Sequence, residues 1–305
     1  MTEFLLVGLG FISSGVAEHL SRRHNVTITY RSLNPVKSKY VQKLVGKANV
    51  LRADPLELAP LVEKSDVVVN FVGEVSGEES SLRIANVEVP RTLARMTRGK
   101  TFVHLSGATL GQTERVVREE ETHGVGLSPS TSFERTKLEG ESEVLRENPN
   151  SVVLRPTLVY GTNSAHIQFV TMYKLVKRGL VPRLSISYMP VSVTYIGRAI
   201  EIIAESRPQR SYMYATECEP VSINDFFSAF ASGLNVKYFS LPFPTEVAKI
   251  FLPREIRSLL RYSGVRFSCE SMRRLVGDLR FRSEELEENA RFLRQLDAEG
   301  ILIPT

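Results

Sequence analysis

Short apolar runs alternate with amphipathic segments of helical length from the first residue to about Leu158. This alternation indicates repeated β-α units, which build a parallel sheet with helices on both of its faces. We therefore predict an α/β fold with a doubly wound Rossmann sheet over residues 1–160. The predicted strands are Glu3–Val7, Val26–Tyr30, Asn49–Leu51, Asp66–Phe71, Thr101–Leu105 and Ser151–Leu154, and helical periodicity is clearest at Val16–Ser21, Leu56–Val62, Leu82–Met96 and Thr136–Leu145.

The pattern changes after Pro156, where loops lengthen, apolar runs become isolated and prolines recur. We predict a smaller C-terminal α/β part over residues 161–305, from which some segments return to the main sheet. Its predicted strands are Val191–Tyr195 and Tyr212–Ala215, and its predicted helices are His166–Lys177 and Asn224–Ala231.

The composition is that of an ordinary globular chain: 42% of its 305 residues are hydrophobic, enough to fill one large α/β domain. No stretch reaches the roughly 18 apolar residues of a spanning helix, and the run Phe4–Gly8 is too short for a targeting leader. The net charge of +5 is spread along the chain. It weakly favours an anionic partner such as a dinucleotide or a membrane surface, whereas no aromatic-basic motif indicates nucleic acid.

The cysteines and histidines show no pattern typical of a disulfide framework or a metal site. Cys218 and Cys269 stand far apart, without Cys-x-x-Cys or Cys/His ligand spacing. We therefore expect no disulfide, no metal and a location in the reducing cytoplasm. The histidines, none of which is paired at metal-ligand spacing, are His19, His24, His104, His123 and His166.

A glycine turn, V-G-L-G-F-I-S, follows the first predicted strand directly. Gly8 permits a tight turn, Gly10 lets a diphosphate approach the backbone, and the first amides of the next helix face the phosphate oxygens. Ser13 stands where the dinucleotide fingerprint has its third glycine, a position that controls helix-strand packing. Because a strand precedes the turn and a helix follows it, we predict a bound dinucleotide. A tight turn without a ligand is the alternative.

The second predicted strand ends in Tyr30-Arg31, where an NAD-specific chain usually has an acidic residue on the ribose hydroxyls. The Arg31 guanidinium can pair with a 2′-phosphate and stack on adenine, and Lys37 is a candidate second cation. We therefore predict that NADP(H) is favoured, with NAD(H) as the alternative. A solvated arginine at a strand end is the competing interpretation.

Longer segments resemble the extended and atypical short-chain dehydrogenase/reductases, the superfamily of NAD-dependent epimerases and dehydratases. L-R-A-D-P-L-E around Asp54 is similar to that family's third-strand acid, which meets the adenine, and D-V-V-V-N-F-V-G-E is similar to its fourth-strand end. S-F-E-R-T-K-L-E-G-E from Ser132 and V-V-L-R-P-T-L-V-Y-G from Val152 resemble its active-site helix and sixth strand.

A narrower resemblance rests on V-N-F-V-G-E, E-V-P-R-T-L-A, F-V-H-L-S-G-A and L-P-F-P at Leu241. These segments are most similar to the atypical group that contains the dehydrogenase-like accessory subunit of respiratory complex I. That resemblance implies tight NADPH binding and a structural role. The cofactor-binding residues that we predict are Gly8, Gly10, Phe11, Ile12, Arg31, Ser32, Lys37, Asp54, Pro55, Phe71, Val72, Gly73, Lys137, Pro156 and Thr157.

The resemblance also shows which catalytic groups are missing. Enzymes of the family use a Tyr-x-x-x-Lys pair, in which the lysine lowers the tyrosine pKa, together with a serine or threonine. Phe133 stands at the tyrosine position and Gly107 at the serine position, while Ser106 lies one residue early. Only Lys137 remains, and the resemblance implies that it binds the ribose hydroxyls of the nicotinamide half.

Two hypotheses follow from this loss. The first is a cofactor-binding structural or regulatory module without ordinary redox chemistry. The alternative is an active oxidoreductase, epimerase or dehydratase that uses other groups on a nucleotide sugar, a quinone or another carbonyl compound. Candidate groups near the nicotinamide, each of which is also ordinary as a polar loop or core residue, are Ser106, Thr109, Ser130, Ser132 and Tyr160.

Two further segments each have two interpretations. The charge run Arg115–Glu121 is a solvated loop or helix face, or else a substrate lid, because it lies between the fifth strand and the active-site helix. The segment Val247–Tyr262 combines apolar and basic residues in an amphipathic pattern. It either packs over the cofactor domain or docks on anionic lipid or a partner protein.

Overall fold

The computed structural model describes residues 1–206, 208, 211–242 and 260–304. Its strands are β1 Glu3–Val7, β2 Asn25–Tyr30, β3 Asn49–Arg52, β4 Val67–Asn70, β5 Thr101–Leu105, β6 Val116–Val117, β7 Val152–Pro156, β8 Leu158–Tyr160, β9 Leu180–Arg183, β10 Ser187–Tyr188, β11 Pro190–Ser192, β12 Tyr212–Ala215, β13 Val221–Ser222, β14 Phe239–Pro242 and β15 Arg266–Phe267.

The α-helices of the described residues are α1 Phe11–Leu20, α2 Pro35–Leu44, α3 Ala59–Glu63, α4 Glu79–Arg83, α5 Val89–Met96, α6 Ser132–Glu147, α7 Ile167–Lys177, α8 Val193–Glu205, α9 Ile223–Leu234, α10 Glu270–Val276 and α11 Ser283–Ala298. A π-helical turn, Ile84–Glu88, joins α4 to α5, and a 3-10 turn spans Leu260–Tyr262.

A seven-stranded parallel sheet organises the chain in the order β12-β7-β5-β4-β1-β2-β3. Alternate side chains of β1 enter two cores: Phe4 and Leu6 lie on one face of the sheet, Leu5 and Val7 on the other. Helices cover both faces, as expected where strands carry near-continuous apolar runs. The predicted α/β Rossmann fold is therefore confirmed.

The predicted strands of the sheet match the observed ones to within two residues at each end. Tyr212–Ala215 lies in the main sheet, where β12 pairs with β7. The predicted strand Val191–Tyr195 is wrong in its second half, because β11 ends at Ser192 and α8 begins at Val193. The reason is a helix cap: the Ser192 hydroxyl accepts a hydrogen bond from the Thr194 amide at 3.0 Å.

The expectation that the cysteines stay unpaired is wrong. Cys218 and Cys269 form a disulfide across a sequence separation of 51 residues, with their Cα atoms 5.2 Å apart. Cys218 follows β12 closely and Cys269 precedes α10, so the bond joins two segments that no sequence spacing connects. A lone long-range cysteine pair lacks the regular spacing by which disulfide frameworks are recognised.

The amphipathic segment Val247–Tyr262 lies mostly outside the described residues, which omit 243–259. Of its described end, Tyr262 is buried and packs in a small core with Ala108 and Phe267. Over the described ranges, no helix has both the length and the apolarity needed to cross a membrane.

Helix α6 lies unusually close to the π-helical turn. A Cβ atom at Gly140 would overlap the carbonyl oxygen of Asn86. Only glycine therefore allows this approach, which brings α6 against the segment that follows β4.

We expect Gly140→Ala to lower the free energy of unfolding by about 1–3 kcal/mol, because a backbone carbonyl cannot move aside as a flexible side chain can. Urea titration measures the loss. Ser142→Ala, on an exposed position of the same helix, is the matched control and should stay within about 0.5 kcal/mol of the parent. Equal stabilities for the two variants would contradict this packing.

Candidate functional site

The turn between β1 and α1 is built on a close approach of two backbones. The amides of Gly8 and Leu9 donate to the Thr29 carbonyl at 3.2 and 2.8 Å. Gly8 has a φ of 98°, and a Cβ atom on it would lie 2.9 Å from Cγ2 of Val72. Both its conformation and its space therefore require glycine, as the sequence predicted.

The side of the turn that would face a ligand is open. No heavy atom lies within 4 Å of the Cβ position of Gly10. Ser13 takes the third-glycine position by folding back: its hydroxyl accepts the Gly10 amide at 2.8 Å and donates to the Gly10 carbonyl at 3.2 Å. The amides of Phe11 and Ile12, in the first turn of α1, have no intrahelical acceptor and can receive a phosphate.

The end of β2 carries two neighbouring cations. Arg31 and Ser32 are exposed, and Lys37 is half-buried on α2. Burial, and secondarily the charge of Arg31, lowers the pKa of the Lys37 ammonium. In the described ranges neither cation has an ion pair, so both are available to an anion. Asp54, at the end of β3, is exposed, and its Oδ1 accepts the Leu56 amide at 2.9 Å.

The structure brings together the two positions where catalytic groups are missing. The Cζ atom of Phe133 lies 3.8 Å from the Cβ position of Gly107. A phenol and a serine at these positions would face each other, but neither residue carries a hydroxyl. Ser106 lies elsewhere: its buried hydroxyl is beside the Glu141 carboxylate, without a well-formed hydrogen bond.

Lys137 follows Phe133 by one turn of α6 and is only 5% exposed. Its ammonium touches Gly73 after β4, where a Cβ atom would displace it. Burial lowers the pKa of Lys137 to about 8, although Glu141, one further turn along α6, opposes the shift. Within the described residues Nζ has no hydrogen-bonding partner, so a ligand at Gly73 could supply one.

Asn86, which the sequence analysis did not single out, fixes the loop that carries Gly73. Its side chain accepts the Glu74 amide at 3.0 Å and donates to the Glu74 carbonyl at 2.9 Å. It also donates to the Thr136 hydroxyl at 3.1 Å, which ties the loop to α6 beside Lys137. The only signal in the sequence is an asparagine inside an otherwise apolar helical pattern.

Arg155 of β7 is completely buried between two glutamates. Its guanidinium donates to Glu141 at 2.7 Å and to Glu120 at 2.7 and 2.8 Å. His123 adds a hydrogen bond to Glu141 at 2.8 Å. Burial alone would raise the pKa of Glu141, but Arg155 and His123 hold it down at about 2.

Glu120 belongs to the charge run Arg115–Glu121, which is therefore not simply a solvated face. In the same run, β6 pairs with β15 from the C-terminal part. The run is thus held in place by the ion pair of Glu120 with Arg155 and by the pairing of β6 with β15.

The remaining candidates are bonded within the protein. Ser130 donates to Glu134 at 3.0 Å, and Ser132 donates to Glu79 at 3.2 Å. Tyr160 is fully buried and donates to Glu217 at 2.8 Å, so it does not face an open cleft.

The site residues at the end of β7 lie beside the neighbouring strands. The carbonyl of Pro156 accepts the Ala108 amide at 2.9 Å, and the Thr157 amide donates to Ala215 at 3.1 Å. Thr109 is half-buried in the loop after β5.

The C-terminal part contains a cavity of about 700 Å³. Its walls carry one guanidinium and several hydroxyl and amide groups. They consist of Arg183, Leu184, Ser185, Ile186, Ser187, Ser222, Asn224 and Pro242. This volume falls within the range of small-molecule sites, which is about 300–1,000 Å³.

Comparison with known proteins connects this arrangement to a family. A model of the NAD dependent epimerase/dehydratase family matches residues 4–218. A curated relative, a probable dTDP-4,6-dihydroxy-2-methyloxan-3-one 4-ketoreductase of Streptomyces antibioticus, is 29% identical over 120 residues. That match covers 38% of this chain and 40% of the relative, so the chain spans less than half the length of this curated protein.

Solved structures share the fold over nearly the whole chain. The UDP-glucuronic acid 4-epimerase of Bacillus cereus in complex with NAD has a TM-score of 0.74 at 17% identity, covering 96% of this chain and 99% of the epimerase. A tyrosine-to-phenylalanine variant of that epimerase, in complex with a fluorinated UDP-glucuronic acid and NAD, has a TM-score of 0.73 at 17% identity, with the same coverage.

The Glu217 carboxyl makes stability depend on pH. It is 1% exposed, and burial raises its pKa from 4.5 to about 7, against the hydrogen bonds from Tyr160 and the Ser192 amide. The native state therefore holds a proton that the unfolded chain loses first. This contribution is complete below pH 4.5 and is lost as the pH rises through about 7.

We expect the free energy of unfolding of Glu217→Gln to rise by about 3 kcal/mol relative to that of the parent as the pH increases from 4.5 to above 7, because the amide never ionises. Chemical denaturation at several pH values measures the difference, and the exposed Glu219→Gln is the matched control. A difference that does not change with pH would show that Glu217 is not protonated in the native state.

Proposed function

The chain belongs to the NAD dependent epimerase/dehydratase family, and from that premise we propose that it is an NADP(H)-dependent enzyme acting on a nucleotide sugar. The reaction class is oxidoreduction, epimerisation or dehydration, each of which requires oxidation or reduction at a sugar carbon. The observation that carries the proposal is a pair of anchors at the carboxyl ends of the strands, where ligands of such sheets bind. These anchors are the amides of Phe11 and Ile12 and the buried ammonium of Lys137.

The residues present fit a dinucleotide on structural grounds. The open side of Gly10 and the first amides of α1 suit its diphosphate. The Nζ of Lys137 beside Gly73, which has no hydrogen-bonding partner among the described residues, suits ribose hydroxyls. When bound, the nicotinamide would supply or accept the hydride. The chain's own groups orient the cofactor and, through the loop fixed by Asn86, keep Lys137 against it.

Arg31 and Lys37 support the preference for NADP(H). Arg31 follows β2 and Lys37 lies on α2, and neither has an ion pair within the described residues. Burial, followed by the charge of Arg31, lowers the pKa of Lys37. A 2′-phosphate between them would relieve that repulsion and gain charge-assisted hydrogen bonds. The acidic residue that usually binds an unsubstituted ribose is absent there.

The substrate class is supported by two features. The named relatives are a ketoreductase and an epimerase of nucleotide-linked sugars. The C-terminal cavity has the size of such a ligand, and Arg183 and the hydroxyl groups of its wall can bind a phosphate or a base. A tyrosine-to-phenylalanine variant of the epimerase was solved with both NAD and a nucleotide sugar, so that protein binds both ligands without one tyrosine hydroxyl.

A second candidate function is a cofactor-binding structural or regulatory module. It is favoured by the facing pair Phe133 and Gly107, which leaves the usual proton donor absent. It also fits the resemblance to the group containing the complex I accessory subunit. In that case residues 247–262 are the predicted docking segment for anionic lipid or a partner protein, and liposome co-sedimentation at low salt tests it.

We expect Arg31→Ser to raise the Kd for NADPH by about 10- to 100-fold, because a charge-assisted hydrogen bond contributes about 1.5–3 kcal/mol. The Kd for NADH should change less than about threefold, because NADH carries no 2′-phosphate. Isothermal titration calorimetry measures both. Lys39→Ser, whose lysine pairs with Glu299 instead, is the control. Equal affinity of the parent protein for the two cofactors would refute the assignment.

We expect the protein to convert at least one UDP- or dTDP-sugar in the presence of NADP(H), and Phe133→Tyr to accelerate this by up to about 10²- to 10⁴-fold. Chromatography of the sugar nucleotides detects products even where the cofactor is regenerated. Phe133→Leu, which removes the ring without adding a hydroxyl, is the control. Retention of the dinucleotide without conversion by either protein would favour the second candidate.

A further inference from the structure

The absent phenol leaves Lys137 as the nearest ionisable residue on the same face of α6. Phe133 and Lys137 are one helical turn apart, and Lys137 is held against Gly73. The ring of Phe133 ends without a hydroxyl, and Gly107 opposite has no side chain. Neither side chain can form a hydrogen bond at this point, where a substrate oxygen or one water can approach.

Other ionisable groups nearby are committed elsewhere. Both oxygens of Glu134 accept hydrogen bonds, from Tyr262 at 2.7 Å and from the Ser130 amide at 2.7 Å. His104 of β5 is fully buried beside Asn70, and burial, followed by the charge of Lys137, lowers its pKa to about 3. It is therefore neutral at ordinary pH. Glu74, in the loop after β4, is half-buried, and its Oε2 lies 3.9 Å from the Cβ position of Gly77.

We infer that Lys137 itself exchanges the proton with the substrate oxygen in the redox step, directly or through one water, in place of the missing phenol. This inference rests on the proposed function and adds a role for one residue. It is carried by three observations: the burial of the Lys137 side chain, the contact of its Nζ with Gly73, and the lack of a hydrogen-bonding partner for Nζ in the described part of the chain.

The step balances without a further reactant. In reduction, the carbonyl carbon receives the hydride of the reduced nicotinamide while an Nζ–H bond breaks and its proton passes to the carbonyl oxygen. The products are a hydroxyl group, an oxidised nicotinamide and a neutral amine, which regains a proton from water. In oxidation, the neutral amine accepts the hydroxyl proton as the hydride leaves.

The surroundings of Lys137 allow both protonation states near neutral pH. Burial lowers its pKa to about 8, and Glu141 counteracts this from the same helix. Glu141 is itself held ionised by Arg155 of β7 and His123, and neutral His104 of β5 is the other titratable group that interacts with Lys137. Glu141 is thus a positioning residue that acts through Lys137.

The first test measures the proton of Lys137 without any turnover. Competitive labelling of the full-length protein with acetic anhydride, followed by mass spectrometry of the Lys137 peptide, gives its titration midpoint. We expect a midpoint near pH 8 in the parent protein, well below the ordinary value of about 10.4. Glu141→Gln should move it lower, and Glu74→Gln should leave it closer to the parent value. A midpoint near 10 would overturn the inference.

The second test uses the sugar nucleotide converted by the parent protein. The reduction rate should fall as the pH rises through the labelled midpoint, and Glu141→Gln should shift this limb by the same amount. Lys137→Arg keeps the charge but cannot release a proton. It should lower kcat by at least about 100-fold while the Kd for NADPH changes less than about tenfold.

These outcomes separate the inference from the proposed function. Conversion that continues in Lys137→Arg, with an unchanged pH profile, would overturn the role of Lys137 and leave the proposed function standing. A parent protein that binds NADPH and converts no sugar nucleotide would overturn both. If Glu141→Gln does not fold because Arg155 loses its partner, Lys137→Arg decides the question alone.

Discussion

The buried ion pair between Arg155 and Glu141 is the interaction on which the candidate site depends. It joins strand β7 of the sheet to α6, the helix that carries both Phe133 and Lys137. A buried pair of this kind is costly to break, because the remaining charge would stay without compensation. Glu120 completes the coordination of the guanidinium, so the loop before α6 is fixed by the same group. Arg155 thereby fixes the positions of α6 and of the loop before it at the same time.

The candidate site keeps a glycine turn suited to a dinucleotide but lacks the two hydroxyl groups that the family resemblance implies beside Lys137. The β1–α1 turn retains its glycine geometry, and Lys137 retains its place beside Gly73. At the reaction centre the changes are at Phe133 and Gly107, which face each other. A family member with such a site keeps the groups that hold a dinucleotide and loses those that tune proton transfer. The amides of α1 would hold the cofactor without taking part in the reaction, so binding can persist while the reaction centre changes.

Much of the fold was predictable because its determinants are local. The strands of the sheet are near-continuous apolar runs, and the glycine turn at Gly8 indicates the first β-α unit. Strand β12, Tyr212–Ala215, was recognisable as a strand, but its place beside β7 depends on pairing with residues distant in sequence. The helix start at Val193 was missed, since the apolar residues after Pro190 suit a strand equally well and a serine cap decided otherwise.

The candidate site was predictable in its residues and not in their partners. The family resemblance singled out Phe133 and Gly107, and the structure adds that they face each other. The roles of Asn86, Arg155 and Glu217 did not, because each depends on contacts with residues remote in sequence. Arg31 and Lys37 were singled out on charge alone, and the structure adds that they are neighbours.

The covalent link between Cys218 and Cys269 encloses a loop that carries Ser222, Asn224 and Pro242 of the C-terminal cavity. In the chain-entropy model, closing a loop of this length lowers the conformational entropy of the denatured chain and so stabilises the folded state by about 4 kcal/mol. The segment that supplies these three residues of the wall is therefore closed by a covalent bond under oxidising conditions and loses that closure after reduction. The redox state of the surroundings therefore affects how rigidly this segment holds the cavity around a ligand.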